Sequence, residues 1–373
     1  MHKVLKGIDN LKEVLVRFNC KKLFLVVDSS FPFLNIKEQI DSLVIEKFFF
    51  SDFTPNPLYE QVVEGVKLLK DEKCNVILAV GGGSAIDVAK CIKLAVVSRE
   101  GIDSLIPPLV SKMVEIPEFQ VLPLITIPTT AGTGSESTHN AVMYYNDAKQ
   151  TVTNDAILPD VAILEPSVLK TLPLYQKKCT MMDAWCQGIE SWWSVNSTDE
   201  SKEYSKRAIE LIMANWEAYI FENDANAMEQ IMVAANYAGK AINIAQTTAA
   251  HAMSYKITSL YELPHGHAVA ICLSKIWMYM IQNIHNCIDK RGENYVVDIF
   301  GQIALSMNCD SVKEAIVAFE NIMNQLRLSH PSLCVTDIDL EILSVSVNPI
   351  RLKNNPVSIH ISEISQLYLD ILN

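Results

Sequence analysis

The order of apolar and polar positions divides the chain into two parts of different rhythm. In the first part, short runs rich in Val, Ile, Leu and Phe alternate with helical spacing. Lys22–Ser30 (KLFLVVDSS) holds a buried strand ending at Asp28, Val44–Phe50 is β-like, and Tyr59–Lys70 has the i, i+3, i+4 spacing of a helix. Further strands are expected at Asn75–Val80 and Leu122–Ile127, each entering a turn that contains glycine. Strand–turn–helix alternation of this kind predicts a mainly parallel sheet with helices on both faces. Ligands of such sheets sit beyond the carboxyl ends of the strands, where Asp28, Gly81–Gly83 and Thr129–Gly134 all fall.

After Pro173 β-branched runs become rare. Helical patterns run through Met181–Ser194, Lys202–Tyr219, Ala227–Leu260 and His267–Ile284, and then to the end of the chain. The boundary is expected within Leu169–Gln176, where Pro173 interrupts a helix. The expected fold is an α/β, Rossmann-like domain at residues 1–172 followed by an all-helical domain at 173–373. No internal repeat or low-complexity tract is evident.

A chain of 373 residues is long for one core and normal for two domains. Hydrophobic residues at 49% and charged residues at 20% exclude disorder. A formal net charge of −12 without any Lys/Arg run argues against a nucleic-acid partner. The most apolar long window, Ala268–Ile284, is interrupted by Ser274 and Lys275 and is short for a membrane span, so a buried core helix is expected. MHKVLKGIDNLKEVLVRF at the start has no signal-peptide h-region or cleavage site, and the nine cysteines lack C-x-x-C spacing. Reduced thiols in a cytoplasmic protein are therefore expected.

Candidate chemistry concentrates first in Asn75–Lys90, NVILAVGGGSAIDVAK, where a strand runs into Gly81, Gly82 and Gly83 at a helix start. Glycines let the backbone approach an oxyanion, and unpaired N–H groups with the helix dipole favour negative charge there. The competing reading is a structural βα turn. Ser84 and Asp87 have S-x-x-D spacing, so Ser84 is expected to cap the helix with Asp87 in its first turn. The run is not a G-x-G-x-x-G fingerprint. ITIPTTAGTGSES (Ile125–Ser137) adds a threonine-rich loop whose hydroxyls and N–H groups suit a pyrophosphate or ribose. Asp28 stands where an acid can bond a ribose 2′-OH and repel a 2′-phosphate, a reading that competes with a turn or capping aspartate.

The helical part offers a metal-ligand set. Asp183 and Gln187 are four apart and share one helix face, His251 lies on a later helix, and His265 follows fourteen residues on, in LPHGHAVA. A carboxylate, an amide oxygen and two imidazoles suit Fe²⁺ or Zn²⁺ with a position left for substrate. Spacing alone does not choose between His265 and His267.

GGGSAIDVAK, PTTAGTGSE, the D-A-x-x-Q helix and the H-x13-H pair ending in PHG together resemble the iron-containing (group III) alcohol dehydrogenase family. PNP at Pro55–Pro57 and NNPV at Asn354–Val357 extend the resemblance through most of the chain. The resemblance implies a dehydroquinate synthase-like architecture, with the active site in the cleft between an N-terminal dinucleotide-binding domain and a C-terminal helical one, in a homodimer. It places Gly81, Gly82, Gly83, Ser84, Asp87, Thr129, Thr130 and Thr133 on cofactor-binding positions and Asp28 on the acidic position associated with NAD preference. Asp183, His251 and His265 match three of four metal ligands, which selects His265.

Two departures stand out. The fourth ligand is usually histidine and here is Gln187, a harder, neutral donor. Four residues after His251 the family usually carries a second histidine that helps relay protons, and here it is Tyr255. These departures, with ESWWSVNSTDES and HAMSYKITSLYELPHGHA, look most like the phosphonoacetaldehyde reductase branch. The branch implies NADH-dependent reduction of phosphonoacetaldehyde to 2-hydroxyethylphosphonate in phosphonate biosynthesis, with Tyr255, water or the cofactor ribose giving the proton. Lys256, His267, His139 and Arg351 are candidates, on charge alone, for holding the anionic group. The alternatives are a dehydrogenase for an uncharged short-chain alcohol or diol, a dehydroquinate synthase-like lyase, and a non-catalytic NAD-binding protein.

Overall fold

Six apolar segments pair in parallel as one sheet in the order β1-β8-β5-β4-β2-β3. They are β1 (Lys3–Lys6), β2 (Lys22–Val27), β3 (Glu46–Phe50), β4 (Val76–Gly81), β5 (Leu124–Pro128) and β8 (Val161–Leu164). An antiparallel hairpin, β6 (Asn140–Tyr145) with β7 (Ala148–Thr153), stands apart. The structure, a computed structural model, describes residues 2–106, 122–146, 148–329, 335–347 and 349–372. β2, β4 and β5 have no polar alternation because both faces of the sheet are covered, and Leu23–Val26 and Val76–Val80 are wholly buried.

Chain direction reverses between β2 and β4. From β2 the chain proceeds outward to β3, whereas from β4 it proceeds the other way to β5. Adjacent loops then leave the carboxyl ends of β2 and β4 in opposite directions, and the gap between them is where such sheets take ligands. Asp28 follows the last residue of β2, and Gly81–Gly83 close β4.

Four helices of this unit are α1 (Asn10–Arg17), α2 (Lys37–Asp41), α3 (Tyr59–Asp71) and α4 (Gly83–Val97). α4 is buried almost all round, from Ala85 and Ile86 to Leu94 and Val97, which is why its sequence lacks a polar stripe. Its N-cap is Gly82, with no side-chain cap. The expected cap at Ser84 is therefore corrected: the helix begins at Gly83, so Ser84 lies inside the first turn.

The chain separates into a unit of residues 1–172 with 223–232 and a unit of residues 173–222 with 233–373. The short segment Asn223–Met232 joins the first unit, where Glu229 pairs with Lys6 at 2.6 Å. Pro173 stands as the N-cap of the next helix, a place where the N–H it lacks is not needed.

The second unit is helical: α5 (Leu174–Trp193), α6 (Asp199–Glu217), most of α7 (Ala225–Ala245), α8 (Ala249–Tyr261), α9 (His265–Gln282), α10 (Glu293–Ser306), α11 (Val312–Leu326), α12 (Asp337–Ser346), α13 (Pro349–Leu352) and α14 (Ile361–Leu372). α5 is its axis. Trp193 meets Trp277 of α9 at 5.5 Å and Phe300 of α10 at 5.9 Å, and Trp185 meets Phe319 of α11 at 4.9 Å. Each large aromatic buried this way contributes on the order of 2 kcal/mol or more.

α9 is the apolar window noted in the sequence and is a core helix, with Trp277 and Met280 wholly buried. Among the described residues no helix is long and apolar enough to cross a membrane. The single helical run expected at Ala227–Leu260 is two helices. Gln246 adopts φ 62°, ending α7, and α8 restarts at Ala249. The cause lies in a buried carboxylate on α5, described below.

Candidate cofactor and metal sites

At the switch point of the sheet Asp28 turns its carboxylate onto the start of α4. Its Oδ2 accepts the N–H of Gly82 at 2.8 Å, while Oδ1 accepts from Ser30 N at 2.9 Å and Ser30 Oγ at 2.5 Å. A Cβ at Gly81 would lie 2.5 Å from Asp28 Oδ2 and 2.6 Å from Ala85 Cβ, so only glycine fits there. One at Gly83 would lie 2.9 Å from Thr133 Cγ2. At Gly82 the nearest atom is Thr130 Cγ2 at 3.5 Å, so the opening is on this residue's side. Thr130 and Thr133 thus flank the glycine turn from the loop after β5. The Thr129 N–H donates to Gly81 O at 3.0 Å and locks the two loops together.

Asp87 lies one turn into α4 and is half-buried. Its Oδ1 accepts from Ser135 Oγ at 2.7 Å and its Oδ2 from Val142 N at 3.0 Å. Both oxygens therefore hold the threonine-rich loop and β6 to α4. Burial raises its carboxyl, against the opposing pull of Lys90 and these hydrogen bonds. Lys90, which sequence reasoning passed over, shares that task. Its wholly buried Nζ donates to Ser135 O at 2.6 Å, Ser135 Oγ at 3.0 Å, Thr138 Oγ1 at 3.0 Å and Asn140 O at 2.7 Å. Burial lowers it to about 8, while Asp87 and Glu136 push the other way. The signal for it was D-x-x-K spacing, which puts both groups on one helix face.

In the helical unit, one ligand atom each of Asp183, His251 and His265 lie within 4.8 Å of one another. α5 supplies Asp183 and Gln187 from one face, α8 supplies His251 in its first turn, and α9 supplies His265 as its first residue. The close packing that joins them depends on Gly266, since a Cβ there would fall 1.9 Å from Cys179 O and 2.8 Å from Asp183 Cβ. His251 Nε2 lies 3.4 Å from Asp183 Oδ1, and neither atom has a hydrogen-bond partner. Gln187 hydrogen-bonds Asp183, and its own Oε1 is a third buried atom that no donor reaches. Orphaned buried polar atoms are costly unless something binds them, and ligand atoms this close suit a divalent ion with bonds of about 2.0–2.2 Å. The residues fit a metal.

Glu190, also missed in the sequence, completes the arrangement. It is wholly buried one turn beyond Gln187, and its Oε2 is hydrogen-bonded to His251 Nδ1. Burial would lower the His251 imidazole, but Glu190 and Asp183 raise it to about 10. Burial would likewise raise Asp183, yet its contact with His251 and the charge of His265 hold it below the usual carboxylate range.

The ring of Tyr255, one turn after His251, stacks on His265 with centroids 5.6 Å apart and planes at 8°. Arg351 Cζ lies 5.8 Å over the other partner of that stack, the Tyr255 ring. His267 is elsewhere engaged: Nε2 donates to Leu328 O at 2.8 Å and Nδ1 accepts from Tyr175 Oη–H at 2.9 Å. That pattern requires a neutral ring, which burial also favours, and it removes His267 from the candidates for holding an anion. His139 belongs to the first unit and pairs with Asp155 at 2.7 Å. Lys256 is half-buried beside Tyr255 on α8.

The protein-family model described as iron-containing alcohol dehydrogenase matches residues 5–166, and that of the Fe-containing alcohol dehydrogenase family, C-terminal, matches residues 178–372. The chain belongs to the iron-containing alcohol dehydrogenase family. With that membership it is an NAD-dependent, metal-containing oxidoreductase, and Asp183, His251 and His265 form a group that could hold the ion.

Among its relatives, the NAD-dependent methanol dehydrogenase of Bacillus methanolicus is 26% identical over 387 residues, 98% of this chain and 97% of that one. The phosphonoacetaldehyde reductase of Streptomyces viridochromogenes is 29% identical over 269 residues, 69% of this chain and 66% of that one. In fold the chain is similar to the sulfoacetaldehyde reductase from Bifidobacterium kashiwanohense, solved in complex with NAD+, with a TM-score of 0.86 at 24% identity over 99% of this chain and 96% of that one.

Proposed function

We propose that the protein is a metal-dependent, NADH-linked reductase of phosphonoacetaldehyde, giving 2-hydroxyethylphosphonate. The observation that carries the reaction type is the convergence of Asp183, His251 and His265, with the Tyr255 ring laid on the third. Asp183, Gln187, His251 and His265 would hold Fe²⁺ or Zn²⁺, which when bound supplies Lewis-acid polarisation of a carbonyl. Gly81, Gly82, Gly83, Ser84, Thr129, Thr130 and Thr133 would seat the pyrophosphate of NADH, the source of hydride. Asp87 shapes that seat through Ser135 and Val142, and Asp28 would stand at the ribose, where its charge would disfavour a 2′-phosphate. Tyr255 supplies the proton to the product oxygen.

Membership of an oxidoreductase family sets aside the lyase and binding-only alternatives. For the substrate, support comes from the similarity to phosphonoacetaldehyde reductase and from Arg351, a cation one ring away from His265. A phosphonate dianion buried without such a partner would be prohibitively costly.

The test is metal analysis of the purified protein joined to NADH oxidation over phosphonoacetaldehyde, propanal and 3-hydroxypropanal. The expected result is one divalent ion per chain and a kcat/KM for phosphonoacetaldehyde about 100-fold above propanal, the scale of one charge-assisted contact. Equal rates would overturn the substrate and leave an alcohol dehydrogenase for uncharged compounds.

A further inference from the structure

Glu190 sits at the broken junction of α7 and α8 and faces two ways. Its Oε1 accepts from Thr248 N at 3.1 Å, Thr248 Oγ1 at 2.8 Å, Ala250 N at 3.0 Å and His251 N at 3.3 Å. These are the otherwise unsatisfied N–H groups at the start of α8, so a carboxylate on another helix acts as its cap. This explains why a run compatible with one helix is broken at Gln246–Thr248. The Thr248 hydroxyl accepts from Trp193 Nε1 at 2.8 Å, which commits its own proton to Glu190. With Oε1 saturated by donors, Oε2 is left for one partner, His251 Nδ1.

We propose that Glu190 is a positioning residue that fixes the tautomer and ring plane of His251 for metal binding. An ionised carboxylate only accepts, so Nδ1 keeps its hydrogen toward Glu190, and Nε2, which faces Asp183, is the nitrogen whose lone pair goes to a metal when the ion displaces its proton. The same contact makes the imidazole a stronger donor. That matters more here than in a site with three imidazoles, because Gln187 contributes a neutral amide oxygen in place of one. The cap and the metal ligand are thus set by the two oxygens of one group, three residues along α5 from Gln187 and seven from Asp183.

The inference rests on the metal-site reading and is tested by Glu190→Gln. The glutamine amide oxygen must occupy the Oε1 position to satisfy the donors at the start of α8. Its NH₂ then faces His251 Nδ1, making Nδ1 an acceptor and placing the hydrogen on Nε2, where it blocks the metal. The expected result is a folded protein whose affinity for Zn²⁺ or Co²⁺, measured by chelator competition, falls by about 10–100-fold. Its metal-free melting temperature stays near the wild-type value, while the rise on adding Zn²⁺ shrinks.

A purely structural Glu190 would lower the metal-free melting temperature and leave the affinity of the folded protein unchanged, and that result overturns the proposal. Should the variant fail to fold, nitrogen-15 NMR of the Zn²⁺-loaded wild type decides: Nδ1 protonated and Nε2 bound to metal supports it, the reverse arrangement defeats it. Wild-type protein that takes up neither ion defeats the metal-site reading itself.

Discussion

Asp28 Oδ2 accepts the Gly82 amide hydrogen at 2.8 Å, joining the end of β2 to the first residue of the glycine-turn helix cap. An acidic side chain held there serves two ends: it satisfies a helix N-terminus, and it fixes a negative charge at the sheet's switch point. Asp28→Asn keeps an oxygen for Gly82 and removes the charge. Its ratio of kcat/KM for NADPH over NADH is expected to rise at least about tenfold, corresponding to some 1.4 kcal/mol of relieved repulsion. Steady-state kinetics with both cofactors check this; an unchanged ratio would take Asp28 out of cofactor choice.

The three glycines are not equivalent. Gly81→Ala forces a Cβ to 2.5 Å from Asp28 Oδ2 and is expected to destabilise the fold by about 1–3 kcal/mol. Gly82→Ala meets nothing nearer than 3.5 Å, so the protein should melt as the wild type does while losing NADH affinity. Calorimetry and a fluorescence titration with NADH separate the two. NADH binding unaltered in Gly82→Ala would show that the backbone at this residue does not approach phosphate.

Lys90 holds the end of the threonine-rich loop and the start of β6 by four contacts from one buried side chain. Lys90→Met fits the space but leaves Ser135 O and Asn140 O without this donor, at about 1–3 kcal/mol for each carbonyl so exposed. The variant should lose thermal stability and bind NADH more weakly, since Thr130 and Thr133 lie on the released loop. Retained stability would mean that other groups replace the lysine.

Much of this was legible in the sequence because it rests on local period and spacing. The strand–helix rhythm, the change of character near Pro173, the glycine turn at a strand end, and the shared face of Asp183 and Gln187 all follow from near-neighbour geometry. What stayed hidden depends on contacts far apart in sequence. The helix break at Gln246–Thr248 is made by Glu190, about sixty residues earlier. The choice of His265 over His267 depends on α9 beginning at His265, which turns His267 toward Tyr175 and Leu328 instead. Gly266 reads as a turn glycine, yet its role is the close approach of α9 to Cys179 on α5.

Gln187 is the weak member of the proposed metal-ligand set, a neutral amide oxygen beside two imidazoles. Gln187→His offers a softer donor from the same helix face, and borderline divalent ions favour imidazole. The variant should retain Zn²⁺ or Co²⁺ longer against EDTA, whatever becomes of turnover. Dialysis followed by metal analysis is the measurement. Faster loss than from the wild type would mean that Gln187 points elsewhere when metal is bound, leaving three protein ligands and water.

If the proposed substrate is right, the stack of Arg351, Tyr255 and His265 should govern its choice. The guanidinium carbon is 5.8 Å from the Tyr255 centroid, and that ring is 5.6 Å from His265, so a positive charge stands one ring beyond a proposed metal ligand. A bidentate guanidinium suits a phosphonate better than an ammonium does. His267 is engaged by Leu328 O and Tyr175 and His139 by Asp155, which leaves Lys256 as the competing cation among the named candidates. Arg351→Gln should lower kcat/KM for phosphonoacetaldehyde by about 10–100-fold, the worth of a charged hydrogen bond. Propanal turnover should change little, because it draws nothing from the charge. Equal losses on both aldehydes would make Arg351 a support for Tyr255 rather than a reader of charge. The same selective loss in Lys256→Gln alone would move the anion to the neighbouring side chain.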